Sequence, residues 1–168
     1  TNNLLRVIDV SNPHLPSEVG YVSFDGGTVG ALQKAGNFIY IAAGAGGIKV
    51  VNVTDKAHPA LEPGSYSSSS LMNASGITVR GSLLYVANGS AGNLQIFNIS
   101  NPTSPIFLGK AEVGGNVSEV VLSGAYAYVA AGFAGLKIIN ISSSTNPVVV
   151  GSYGASADFP ISGVAVAS

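Results

Sequence analysis

Apolar residues recur along this chain in short runs rich in Val and Ile, broken by single polar positions, and the runs return in the same order. One block reads Leu5-Arg6-Val7-Ile8-Asp9-Val10-Ser11. Its echoes are Ile48-Lys49-Val50-Val51-Asn52-Val53-Thr54, Leu94-Gln95-Ile96-Phe97-Asn98-Ile99-Ser100 and Leu136-Lys137-Ile138-Ile139-Asn140-Ile141-Ser142. The period is about 43 residues. Seven residues after the Asp or Asn of each block stands a proline (Pro16, Pro59, Pro105, Pro147), followed at short range by Gly20, Gly64, Gly109 and Gly151. A second element keeps the rhythm: Gly36-Asn37-Phe38-Ile39-Tyr40-Ile41-Ala42, Gly81-Ser82-Leu83-Leu84-Tyr85-Val86-Ala87 and Gly124-Ala125-Tyr126-Ala127-Tyr128-Val129-Ala130.

Short β-branched and aromatic runs bounded by Gly, Pro, Asn and Ser are strands joined by tight turns. Each repeat therefore holds four strands. An inner one (Ala31 to Lys34, Ile77 to Arg80, Val120 to Ser123, Val164 to Ala167) precedes the Tyr-bearing strand, the Leu-x-Val strand and a strand after the proline. Four strands in one such period is the size of a propeller blade, whose sheet is covered on both faces by its neighbours and so tolerates nearly continuous apolar runs. The expectation is an all-β chain, a β-propeller of four-stranded blades, divided into a partial blade 1–28, blades at about 29–71, 72–115 and 116–158, and the start of another at 159–168. Counted this way, the two ends together lack a Tyr-bearing strand. The chain thus reads as a segment of a larger propeller or array, with a Gly, a Tyr-Val-Ala strand and a Gly-rich turn expected after Ser168.

The block Leu-x-Val-Ile-Asp-Val-Ser-Asn-Pro with its later proline resembles the LVIVD repeat family of bacterial and archaeal surface propellers, over essentially the whole chain. The resemblance implies a propeller at the cell surface and says little about activity. Asn52, Asn98 and Asn140 stand where Asp9 keeps the family's aspartate, which argues against an aspartate role shared by all copies.

Charge changes the picture next. Charged residues make up 9% of the chain against roughly 25% in an average globular protein, and the net charge of −1 supplies no basic footprint for nucleic acid. No apolar stretch approaches the roughly 18 residues of a membrane span. Cysteine is absent, which removes thiolate nucleophiles and Cys-based zinc sites. Neither end reads as a signal peptide.

Candidate chemistry is sparse. Gly44-Ala45-Gly46-Gly47 joins two strands instead of opening a helix, and its counterparts Gly89 to Asn93 and Gly132 to Gly135 recur, so it reads as a turn and not a phosphate cradle. His14 and His58 fall in proline-bearing turns at non-equivalent repeat positions, which suits neither a metal site nor a catalytic triad. Asp25, Glu119 and Asp158 lie in or near loops leading to successive inner strands. Together they are a candidate cation site, most simply for Ca2+, with Asn73 and Asn116 as neutral oxygen ligands. Ser67 to Ser70, with Leu71 and Met72, form a polar loop that is either a flexible connection or a binding loop. Asn-x-Ser/Thr occurs six times, at Asn52, Asn73, Asn88, Asn98, Asn116 and Asn140, against about two expected by chance from 13 Asn and 28 Ser or Thr. This excess leans toward N-linked glycans and an extracellular glycoprotein.

Two functions follow as expectations. The first is a non-enzymatic extracellular or cell-surface scaffold for adhesion, protein binding or assembly with other proteins or copies of itself, without a cofactor. The second is a propeller hydrolase or lyase acting on a sugar or lactone, with a cation held by Asp25, Glu119 and Asp158.

Overall fold

A computed structural model describes residues 2–63, 65–66 and 73–167. Gly64 and the Ser67–Met72 loop lie outside the described residues. The chain is all-β: one antiparallel pair followed by three four-stranded antiparallel sheets, with no helix among the described residues. The pair is β1 (Asn2–Asp9) with β2 (Ser17–Asp25). The second sheet runs β3 (Leu32–Ala35), β4 (Phe38–Ala42), β5 (Ile48–Asn52), β6 (Ala60–Leu61). The third runs β7 (Ala74–Arg80), β8 (Leu83–Asn88), β9 (Asn93–Asn98), β10 (Ile106–Glu112). The fourth runs β11 (Glu119–Ser123), β12 (Tyr126–Ala130), β13 (Leu136–Asn140), β14 (Val148–Tyr153). Each sheet is a meander in sequence order.

Turn chemistry sets this regularity. The first hairpin of each four-stranded sheet has a two-residue loop, Ala35 facing Phe38, Arg80 facing Leu83 and Ser123 facing Tyr126. The leading loop residue is Gly36, Gly81 or Gly124, at φ 57°, 60° and 54°, a left-handed backbone that such a turn demands and that side chains resist.

Alternation along the strands gives every sheet two apolar faces. Tyr40, Ala42, Ile48 and Val50 of the second sheet pack against Leu84, Val86 and Phe97 of the third. The other face of that second sheet, Ile41, Ala43, Val51 and Val53, meets Leu5 and Phe24 of the first pair. Tyr85, Ala87, Leu94 and Ile96 of the third sheet meet Ala127, Val129, Ile139 and Ile141 of the fourth. The sheets are therefore stacked face to face in chain order. The first strands β3, β7 and β11 lie side by side along one edge, and the fourth strands meet along the other, β2 with β6 and β10 with β14. Packing runs from each sheet to the next and does not close a ring among the described residues.

The expected inner strand Val164–Ala167 is a correction: those residues form no strand. β3, β7 and β11 each pair with the Tyr-bearing strand that follows them, whereas no strand is paired to Val164–Ala167 among the described residues.

The repeated Asp or Asn has a local explanation. The side-chain oxygens of Asp9, Asn52, Asn98 and Asn140 each accept the backbone N–H two residues on, from Ser11, Thr54, Ser100 and Ser142 at 2.8–3.0 Å. This closes an Asx turn at the end of the third strand. Only an acceptor is needed, so Asp and Asn interchange. A second such turn follows, with Asn12, Asp55 and Asn101 accepting from His14, Ala57 and Thr103. The double turn delivers its carbonyls onto the preceding repeat. A Cβ placed on Gly20 would lie 2.5 Å from the carbonyl oxygens of both Lys56 and Ala57, and one on Gly109 would lie 2.6 Å from Thr145 O and 2.8 Å from Ser144 O. The recurrent Gly is thus the seat for the next repeat's turn.

Candidate functional site

A polar recess that draws on the second, third and fourth sheets and on the segment after β14 runs along the β3, β7, β11 edge. It is a groove of about 480 Å3 lined by Gln33, Ser75, Thr78, Ser118, Glu119 and Ser162 among others. In repeat register Gly30, Ser75, Ser118 and Ser162 are equivalent: Gly30 and Ser118 stand just before β3 and β11, Ser75 is the second residue of β7, and Ser162 lies in the segment after β14. Ser75 Oγ donates to Val117 O of the next repeat at 2.6 Å and lies 3.0 Å from Ala87 O of its own. Ser118 Oγ does the same with Ser162 O at 2.8 Å and Ala130 O at 3.4 Å. At Gly30 a Cβ would fall 2.0 Å from Ser75 O, so there the two backbones approach without a side chain between them. Backbone bridges flank the serines, Gly44 with Ala74 and Gly132 with Ile161. These hydroxyls join one repeat to the next. In the sequence Ser75 and Ser118 read only as the closing residues of the Asn73 and Asn116 sequons; aligning the repeats would have exposed their shared position.

The three candidate carboxylates are not gathered. Asp25 ends β2, Glu119 opens β11 and lines the groove, and Asp158 sits in a bend beyond β14. Among the described residues no group of three His, Asp or Glu side chains converges as a metal site would require. Glu119 Oε2 instead accepts the N–H of Val164 at 2.8 Å, tying the C-terminal segment to β11. Asn73 and Asn116 flank the Gly89 turn: Asn73 N–H donates to Asn88 Oδ1 at 3.1 Å, and Asn73 O accepts from Gly89 N–H at 2.8 Å.

His14 and His58 are exposed turn residues. His58 Nδ1 lies 2.9 Å from Asp55 Oδ2, and this hydrogen bond, with those from the turn's N–H groups, holds the Asp55 carboxyl below its ordinary range. The Asp9 carboxyl is lowered by its bond from the Ser11 N–H. Burial raises the Tyr40 phenol, whose hydroxyl donates to Pro102 O of the next repeat at 3.4 Å. Gly44 to Gly47 form the expected turn, closed by Ala43 N–H to Gly47 O at 2.8 Å and Gly47 N–H to Gly44 O at 3.1 Å.

The six sequons divide by exposure. Asn116 is exposed, while Asn52, Asn73, Asn98 and Asn140 are half-buried. Asn88 is fully buried and its Nδ2 donates to Asn93 Oδ1 at 3.2 Å, so the folded chain has no room for a glycan there. With Gln95, whose Nε2 also donates to Asn93 Oδ1, it forms a buried polar cluster peculiar to the third sheet. The equivalent positions elsewhere are Ala43, Gly47 and Lys49 in the second sheet and Ala131, Gly135 and Lys137 in the fourth.

A family model described as LVIVD repeat matches residues 1–23, 26–67, 73–112 and 114–155. No curated protein matches. Among solved structures, the crystal structure of the computationally designed Ika8 protein is similar, at 14% identity and a TM-score of 0.58, over 83% of this chain and 40% of that one. At that identity the likeness concerns fold alone, and the chain spans well under half the length of the one it resembles.

Proposed function

This chain belongs to the LVIVD repeat family, and from that premise we propose that its sheets are blades of a β-propeller, one arc of a larger ring that acts as a non-enzymatic scaffold outside the cell or on its surface. Its partners are other proteins or further LVIVD repeats, and it carries N-linked glycans. The carrying observation is what the recurrent residues do. The Asx-turn Asp or Asn, the glycines at Gly20 and Gly109 and the groove serines Ser75 and Ser118 all serve the joint between one repeat and the next. Side chains kept for stacking make a rigid, extendable surface.

The strand order supports the propeller reading, since twisted sheets stacked face to face, with first strands along one edge and fourth strands along the other, fan about an axis. Low charge and the exposed sequon at Asn116 support the extracellular reading. Labelling intact source cells with a membrane-impermeant amine reagent, followed by peptide mass spectrometry, tests it. Modified Lys34 and Lys110, with a glycan-shifted peptide containing Asn116, is the expected result. Labelling only after lysis, with all six sequons unmodified, would overturn it.

A further inference from the structure

The turn between β8 and β9 carries a reactive dipeptide that its sister turns lack. Asn88-Gly89 is the only Asn-Gly pair in the sequence, and the equivalent pairs are Ala43-Gly44 and Ala131-Gly132. Each half of the pair has its own structural reason. A Cβ on Gly89 would lie 2.8 Å from Asn73 Nδ2 and 3.1 Å from both Asn73 O and Asn116 Oδ1, so no side chain fits there. The Asn88 amide belongs to the buried polar cluster: its Oδ1 accepts the Asn73 N–H at 3.1 Å and its Nδ2 donates to Asn93 Oδ1 at 3.2 Å. Together the two demands place an unhindered backbone nitrogen directly after a side-chain amide, the arrangement in which a chain most readily attacks itself.

The fold then locks both reactants. The nucleophile, Gly89 N, donates its proton to Asn73 O at 2.8 Å. Gly89 O accepts the Val117 N–H of the next repeat at 3.1 Å, and the Gly92 N–H closes the turn onto Asn88 O and Gly89 O at 3.1 and 3.0 Å. The electrophile, Asn88 Cγ, is held through hydrogen bonds on both of its heteroatoms, and the side chain has no exposed surface that water could reach.

We propose that Asn88-Gly89 is a self-modification site gated by opening of the joint between the third and fourth sheets. Once the turn opens, Gly89 N loses its proton to solvent and bonds to Asn88 Cγ; the Cγ–Nδ2 bond breaks, and Nδ2 takes up a proton and leaves as ammonia. One water molecule then opens the cyclic imide at either carbonyl, leaving an aspartyl or isoaspartyl residue at position 88. The change is one-way. A carboxylate has no proton for Asn93 Oδ1, which also accepts from Gln95 Nε2 at 3.3 Å, and Glu112 Oε2 lies 3.5 Å from Asn93 Nδ2. Reclosing would bury the new charge beside a like one. The isoaspartyl form also lengthens the main chain of β8 by one carbon. An opening that is reversible at the other joints therefore becomes permanent at this one. This proposal stands independently of the scaffold reading above.

Incubation of the full 168-residue chain at neutral pH, in buffer and in denaturing urea, tests it. Peptide mass spectrometry follows conversion at Asn88, and hydroxylamine, which cleaves the cyclic imide, traps the intermediate. The folded chain is expected to convert on the order of 100-fold more slowly than the unfolded one, as local opening requires. Asn88→Ala, which copies Ala43 and Ala131, should fold and resist cleavage. Chain converted in urea and returned to buffer should unfold at a lower urea midpoint than unconverted chain. Asn88→Asp should show the same loss, or fail to fold where Asn88→Ala folds. Equal conversion rates in the folded and unfolded chain overturn the gating, and an unchanged midpoint after conversion overturns the one-way step.

Discussion

At the scale of the residue, the recurrent Gly is a matter of space. Gly20 has ordinary backbone, but the carbonyls of Lys56 and Ala57 fill the volume of its missing side chain. Gly20→Ala should therefore cost about 1–3 kcal/mol, the range for overpacking a rigid contact, read as a lower denaturant midpoint. The Asp or Asn of each block behaves differently, because its role is acceptance of one N–H. Asp9 is depressed in the fold by that bond, so its stabilisation is fully present above the unfolded carboxylate value of about 3.9 and fades as pH falls through the lower folded value. Asp9→Asn should match the parent at neutral pH and melt higher than it in thermal scans near pH 2.5. Equal acid sensitivity in both would show that the turn does not depend on this acceptor. The sequence displayed both residue types plainly as repeats; their reasons were hidden, since neither a carbonyl arriving from another repeat nor an Asx turn leaves a mark in composition.

At the scale of the element, strand identity was largely legible because the apolar period and the Gly-bounded turns agree, and β4, β5, β8, β9, β12 and β13 fall on the Tyr-bearing and Leu-x-Val blocks. Val164–Ala167 reads like its counterparts yet makes no strand, since a strand needs a partner as well as a pattern. The candidate cation site failed for a related reason. Loop position suggested that Asp25, Glu119 and Asp158 converge, but one-dimensional order does not fix where loops of different repeats point, and Glu119 is engaged with the Val164 N–H. What holds the inner edge is instead the serine pair. Ser75 has one proton to give and gives it across the boundary to Val117 O. Ser75→Ala should destabilise by about 1 kcal/mol, the net worth of one such bond. Because the acceptor Val117 O adjoins Ser118 in the chain, the effect should be non-additive with Ser118→Ala in a double-mutant cycle in urea, and strict additivity would show the two joints to be independent.

At the scale of the whole molecule, stability is a sum of sheets and of the seams between them, because each repeat touches only its neighbours. The second and third sheets are covered on both faces, the first pair and the fourth sheet on one each. Local opening should follow that pattern. Amide hydrogen exchange at low protein concentration is expected to be slowest in β8 and β9, where Leu84 to Asn88 and Asn93 to Phe97 are all buried, and fastest in β1, β2 and β14. Uniform protection from β1 to β14 would mean that the chain opens as one cooperative body and that the seams do not set its stability.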